Sequence, residues 1–174
     1  MGDNDKVWYT GSLDGRSDTL LVSESLDMLP KPLDLGECKN IRQTYFHPDS
    51  LDPYAVLTDC GDSWEVIYLD ESNKGAKWHK SMAKQFPNSL ISFGWTEDGK
   101  KAFVAIRSSM NPGDFYLLNT EKKSVNYIGS SNQSLDLNLL SESKLFEFTS
   151  RDGIELQGIY SHPRNNEKDV PLIV

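Results

Sequence analysis

Three histidines, two cysteines and a scatter of serines are the side chains here that could carry metal, redox or nucleophilic chemistry. His47, His79 and His162 stand far apart, none at metal-ligand spacing to another, so they read as surface or turn residues. Cys38 and Cys60 make no C-x-x-C pair and carry no disulfide-framework signal; they read as free thiols at partly buried strand positions, although pairing between them stays open. A nucleophilic serine of the G-x-S-x-G kind needs glycines on both sides, because its backbone is strained and neighbouring side chains would clash. Gly15-Arg16-Ser17 lacks the second glycine and does not join a strand to a helix. Ser12 and Ser150 sit in turns without an activating base or oxyanion donors. No catalytic residue, metal ligand or cofactor site is assigned, and substrate-binding residues are unknown at this level.

Other short signals read as ordinary structure. Asp14-Gly15-Arg16-Ser17-Asp18 lacks the D-x-D-x-D-G spacing and distal Glu of a calcium loop and reads as a hairpin turn. Asn132-Gln133-Ser134 is a formal glycosylation sequon in a polar stretch. Trp8, Trp64, Trp78 and Trp95 could form a ligand platform, but three of them lie on expected strands, where aromatics are ordinary packing residues.

The elements that would position any site are β-strands. Of the 174 residues, 37% are hydrophobic and 25% charged, a globular balance. A net charge of −8 argues against a phosphate-backbone binder, which needs a basic face. No apolar run reaches the length of a membrane span. The opening MGDNDKVWYTGS has no basic-then-apolar signal peptide, which leaves the compartment open between cytoplasm and periplasm or secretion.

Apolar runs are short, rich in β-branched and aromatic residues, and separated by Gly, Asp, Asn and Pro turns. VWYT-GSLDGRSD-TLLVSES, AVLT-DCGDS-WEVIYLDES and AFVAI-RSSMNPGD-FYLLNTEKK each read strand, polar turn, strand. They start at Val7, Ala55 and Ala102, 48 and then 47 residues apart, a spacing expected of propeller blades. IRQTYFHPDS and LISFGWTEDGK each place an aromatic-bearing strand and a Pro-Asp or Asp-Gly turn before the next unit. One unit thus reads as strands Ile41–Phe46, Tyr54–Thr58, Trp64–Leu69 and a weaker fourth near Lys77–Met82. The next reads Leu90–Trp95, Ala102–Ile106, Phe115–Leu118 and Ser124–Ile128. The first unit starts at its second strand and ends near Lys31–Leu35. The expected fold class is all-β, an incomplete β-propeller of about two to three four-stranded antiparallel blades; an ordinary antiparallel sandwich is the alternative. So few blades cannot close a ring, so the isolated chain is expected either to self-associate through exposed blade faces or to be marginally stable.

After Ile128 the pattern changes to GSSNQSLDLNLLSESKL, a polar linker with room for a helical turn. Then come Leu145–Thr149, the turn Ser150-Arg151-Asp152-Gly153 and the returning strand Ile154–Tyr160, an Asp-Gly hairpin. His162-Pro163 ends it, Arg164–Asp169 is a charged loop, and Val170–Val174 reads as the opening of a buried strand, a surprising place for a chain to stop.

SRDGIELQGIYSHP followed by VPLIV resembles the junction into the catalytic domain of the prolyl oligopeptidase family of serine peptidases, which includes acylaminoacyl and dipeptidyl peptidases. The resemblance covers the last 30 residues well, and the blade-like TEDGKKAFV and DFYLLNTEKK agree with it less specifically. It implies a partial propeller at 1–130, a linker at 131–144, and the first hairpin and next strand of a truncated α/β-hydrolase domain at 145–174. It also implies a His-Gly-Gly-type turn, a G-x-S-x-G elbow and the Asp and His of a triad further on; none of these is in this sequence, so the chain itself is expected to be inactive. The implied function is that of a propeller gating the access of short peptides to a serine-hydrolase site held elsewhere in the polypeptide. The implied partners are the missing hydrolase domain and, for the whole protein, short peptides. In some members blade loops bind the substrate's N-terminus with charged side chains; Glu24, Glu65 and Arg107 are candidates of that kind. The alternatives are a stand-alone propeller acting as a protein-interaction module and a portion of an esterase-type hydrolase.

Overall fold

The computed structural model describes residues 6–12, 18–36, 40–60, 63–164 and 171, without the side chains of Cys60 and Ser63. It is mostly β. Twelve strands among the described residues form three antiparallel sheets and a separate two-stranded hairpin, and within each sheet strand order follows chain order. The first sheet holds β1 (Val7–Gly11), β2 (Thr19–Ser23) and β3 (Lys31–Pro32); the second holds β4 (Asn40–His47), β5 (Ser50–Cys60) and β6 (Ser63–Tyr68). The third holds β7 (Leu90–Trp95), β8 (Lys101–Ser108), β9 (Asn111–Asn119) and β10 (Ser124–Ser130), and β11 (Ser143–Thr149) pairs with β12 (Glu155–Ser161). The repeated starts Val7, Ala55 and Ala102 fall on β1, β5 and β8, each paired with the strand that follows it.

The weak fourth strand expected near Lys77–Met82 is instead an α-helix, α1 (Lys74–Gln85). The residues account for it. No side chain from Lys74 to Gln85 is β-branched, and most are good helix formers. The buried Ala76, His79 and Met82 recur at three-residue spacing, one helical face rather than an alternation. Asn73 caps the start, its Oδ1 accepting the Gly75 N–H at 2.8 Å, and Pro87 stands just past the C-cap Phe86. The second sheet therefore has three strands. In the first, β3 ends at Pro32; the Leu33 N–H still donates to the Leu20 carbonyl at 2.7 Å, and Leu33 and Leu35 pack against Leu20, Ile41 and Val56. The linker holds a single 3-10 turn at Leu137–Leu139. Gly153 closes the last hairpin at φ +83°, a left-handed conformation that glycine adopts without penalty. The expected strand at 170–174 lies outside the described residues apart from Pro171.

β5 is buried without a break from Pro53 to Asp59. Side chains alternate across a strand, and from Ala55 to Leu57 alternate positions enter different cores, while Tyr54, near the start of the run, joins the core of Ala55 rather than that of Val56. Val56 joins Leu20 of the first sheet, with Ile41 and Ile67. Ala55 and Leu57 join Tyr45, Tyr54 and Ala76, with Val66 and Tyr68 alongside. The second sheet is thus covered on both faces. A third core gathers Ile91, Ala102, Val104, Ile106 and Leu118 of the third sheet around Met82, with Trp78 and Phe86 of α1 packed on it. The helix is shared between the second and third sheets. Polar side chains also join neighbouring sheets: Trp8 Nε1 donates to Asp52 at 2.7 Å, and Ser92 Oγ to Gln43 at 3.3 Å. Asp59, the charge that ends the buried run, is held by Arg42 Nη2 at 2.7 Å and Asn40 Nδ2 at 2.9 Å, as a buried carboxylate requires.

The Tyr54 ring lies against the first turn of α1, where a methyl at Gly75 would stand 2.4 Å from Cε1. Gly→Ala in an open helix stabilises by up to about 1 kcal/mol, but an added methyl in a packed core costs about 1–3 kcal/mol. The core term dominates because Tyr54 is fully buried. Gly75→Ala is therefore expected to lower the urea midpoint, and a raised midpoint would show that this contact is loose.

Candidate functional site

Between the β4–β5 turn and β7 lies an open cleft of about 560 Å³, lined by Gln43, Tyr45, Phe46, His47, Leu51, Tyr54, Phe93 and Trp95 among others. β4 reaches it through register shifts between Ile41 and Gln43 and between Tyr45 and His47. Such irregularities re-aim side chains. They place Tyr45 and His47 inside while Phe46 stands half exposed at the rim beside Leu51.

His47 is 1% exposed, and its position follows from three neighbours. Its ring meets Trp95 edge-on at 4.5 Å between centroids. Its Nδ1 accepts the Asp49 backbone N–H at 3.1 Å, which leaves the proton of the neutral ring on Nε2. Gly99, at φ +63°, packs against the ring, where a methyl would stand 2.9 Å from Cε1 and 3.2 Å from Nε2. Burial pushes the His47 pKa down, partly opposed by Asp49. The Asp49 carboxylate is turned to Lys74 of the helix, and that hydrogen bond holds its pKa below the usual carboxylate range.

Behind His47 the rings continue. Phe93 stacks on Trp95 at 5.2 Å, and His79 stands between Tyr45, Tyr68 and Phe93. His79 Nδ1 and Tyr68 Oη are 2.7 Å apart. Burial pushes the Tyr45 pKa up to about 12, with Tyr68 adding, and pushes Tyr54 up also, with Tyr45 and Tyr68 adding and the Trp95 indole opposing. At neutral pH the cleft therefore presents neutral imidazole, phenol and indole groups. Three of their polar atoms, His47 Nε2, Tyr54 Oη and Trp95 Nε1, are buried without a well-formed hydrogen bond. Such a set can bind; it holds no activated nucleophile. Ser50 faces His47 across the strands, but its Oγ accepts the Asp52 N–H at 3.1 Å.

His47 and His79, expected at the surface or in turns, are thus interior groups, and only His162 is exposed. The signals were present: Tyr45 and His47 share the period of a strand, and His79 sits midway between Ala76 and Met82 on the helix face. Glu24 follows β2 beside Lys6 at 3.9 Å, Glu65 is exposed on β6 and Arg107 is exposed on β8; they belong to three different sheets, and none lines the cleft. Ser150 Oγ accepts the Ile154 N–H at 3.1 Å within its own turn. Gly15-Arg16-Ser17, Asp14, Cys38 and the side chain of Cys60 lie outside the described residues. No group of three His, Cys, Asp or Glu side chains among the described residues is placed to hold a metal ion.

No family model matches the chain, and no curated protein matches it. Among solved structures it is similar to the isopeptidase AtxE2, both in the apo form and as a variant with Astexin3-dC4 bound. Each match has 14% identity and a TM-score of 0.43, over 97% of this chain and 26% of that one. The chain therefore spans about a quarter of the length of the structures it matches, and the similarity is too slight to assign fold or activity.

The pH dependence of stability follows from His79, 3% exposed, whose pKa is pushed down from 6.5 to about 4 by burial, the backbone at Ile91 opposing. Between those values the unfolded chain binds more protons than the folded one. The contribution is complete above about pH 6.5 and is lost as pH falls towards 4, by about 2–4 kcal/mol in all. Acidifying from about pH 7.5 to about pH 5 is expected to lower the urea midpoint, and His79→Leu to flatten that dependence. An unchanged pH slope in His79→Leu would place the acid sensitivity elsewhere.

Proposed function

We propose that this chain is a non-catalytic portion of a prolyl-oligopeptidase-like serine peptidase, in which a β-propeller gates the access of short peptides to a serine-hydrolase site held in another part of the polypeptide. The observation that carries the reading is the order of parts. Antiparallel sheets in chain order come first, stacked so that the middle one is covered on both faces; the Ser150–Gly153 hairpin comes after them. A two-sheet sandwich gives each sheet one covered face, whereas radial stacking covers both. A further sheet would pack on the outer face of the third one, where Phe103 and Leu117 pair across the strands at 47% and 41% exposure and Phe103 stacks on Phe115. Exposed aromatic and aliphatic side chains on the β11–β12 hairpin, including Phe146, Phe148 and Leu156, are the surface on which the rest of a hydrolase domain would build. An isolated two-stranded hairpin is marginal without such support.

Two measurements together test this reading. A fluorophosphonate probe is expected to leave the 174-residue chain unlabelled. The coding sequence that follows Val174 is expected to give a His-Gly-Gly-type turn, then a G-x-S-x-G serine that the same probe labels in the longer polypeptide. A following sequence of further Asp-Gly strand pairs with no elbow, or labelling of the chain itself, would overturn it.

A further inference from the structure

We infer that the cleft between the β4–β5 turn and β7 is a binding site for an uncharged, apolar carbonyl compound, of which an N-acylated aromatic amide is the simplest member. This inference is independent of the peptidase reading, because it rests on the cleft alone.

Three features select that chemistry. First, the free polar groups are donors. His47 Nδ1 is occupied by the Asp49 N–H, so Nε2 carries the proton, and Tyr54 keeps its phenolic hydrogen at neutral pH. Indole Nε1 of Trp95 can only donate. Its N–H is directed at the Tyr54 oxygen and opposes that group's pKa rise, so the hydrogens left for a ligand are those of His47 Nε2 and the Tyr54 hydroxyl. Buried donors without partners cost stability, and a carbonyl oxygen is the complementary group. Second, the lining is rings: the stacked pair Phe93–Trp95 and the pair Tyr45–Tyr54, 6.0 Å apart, with Phe46 and Leu51 exposed at the rim. Third, no lining residue is a Lys, Arg, Asp or Glu, and the nearby Lys74 is already paired with Asp49. A ligand carboxylate or ammonium would lose its hydration without a partner, so the neutral form of the ligand is selected. The volume, about 560 Å³, is ordinary for a small-molecule site.

The test uses N-acetyl-L-phenylalaninamide and its carboxylate counterpart N-acetyl-L-phenylalanine, titrated into the 174-residue chain and followed by tryptophan fluorescence. Trp95→Phe locates the signal. The amide is expected to bind saturably and the carboxylate to bind about tenfold or more weaker. Tyr54→Phe keeps the ring and removes only the hydroxyl. It is expected to weaken the amide about tenfold while leaving Tm unchanged or higher, since an unpartnered buried hydroxyl is gone. His47→Gln, which retains an N–H donor, is expected to preserve more affinity than His47→Phe. Absence of saturable amide binding, equal affinity for the carboxylate, or unaltered affinity in Tyr54→Phe would each overturn the inference.

Discussion

Everything in this structure depends on one stretch of strand, Pro53–Asp59 of β5, that has no solvent face. Buried from Pro53 to Asp59, β5 sends Val56 into one core and Tyr54, Ala55 and Leu57 into another, and both must be capped by other elements for the strand to persist. Burying an aliphatic side chain of this size stabilises by about 1.5–3 kcal/mol relative to leaving it exposed, so stripping either face would remove several such contributions at once. The first sheet covers one side. The other is covered by α1 and the edge of the third sheet. The order of the sheets, their antiparallel meander and the position of the helix all serve that double coverage.

The cleft is a by-product of how the second side is covered. Where the third sheet takes over from the helix, β4 departs from regular pairing, and its aromatic and histidine side chains turn inward to fill the junction. Helix α1 contributes at both ends of this arrangement: Gly75 lets Tyr54 lie flat against the first turn, and Lys74 holds Asp49 beside His47. The result is a polar aromatic cluster in which His47, His79, Tyr45 and Tyr54 are buried, with donors left unmatched. Junctions between packed layers are common places for ligand sites, because neither layer alone can fill them.

Much of the strand framework could be read from the residues. The third sheet has the four expected strands, because its alternation is clean and turns such as Asp98-Gly99 and Thr120–Lys123 are polar, although β9 starts at Asn111 and takes in the Pro112-Gly113 that reads as a turn in the sequence. The last hairpin was equally legible from Arg151-Asp152-Gly153. The helix was not, because a repeat was expected to continue through it; the cap at Asn73, the three-residue spacing of Ala76, His79 and Met82, and the stop at Pro87 were the local evidence that repeat logic overrode. The cleft was hidden for a different reason. Its residues come from β4, β5 and β7, and only tertiary packing brings Trp95 onto His47. Glu24, Glu65 and Arg107 show the converse: charge alone pointed to them, and the fold leaves them on separate sheets.

If the second sheet is stable because both faces are covered, the third sheet, with Phe103 and Leu117 bare on its outer face, is an unfinished version of the same arrangement. The most direct measurement is light scattering on the 174-residue chain across a dilution series, alongside Leu117→Lys. The account predicts concentration-dependent association of the wild-type chain that Leu117→Lys abolishes while the far-UV spectrum stays unchanged. A compact monomer at every concentration in both proteins would contradict it, and would mean that this sheet is complete with one face in water.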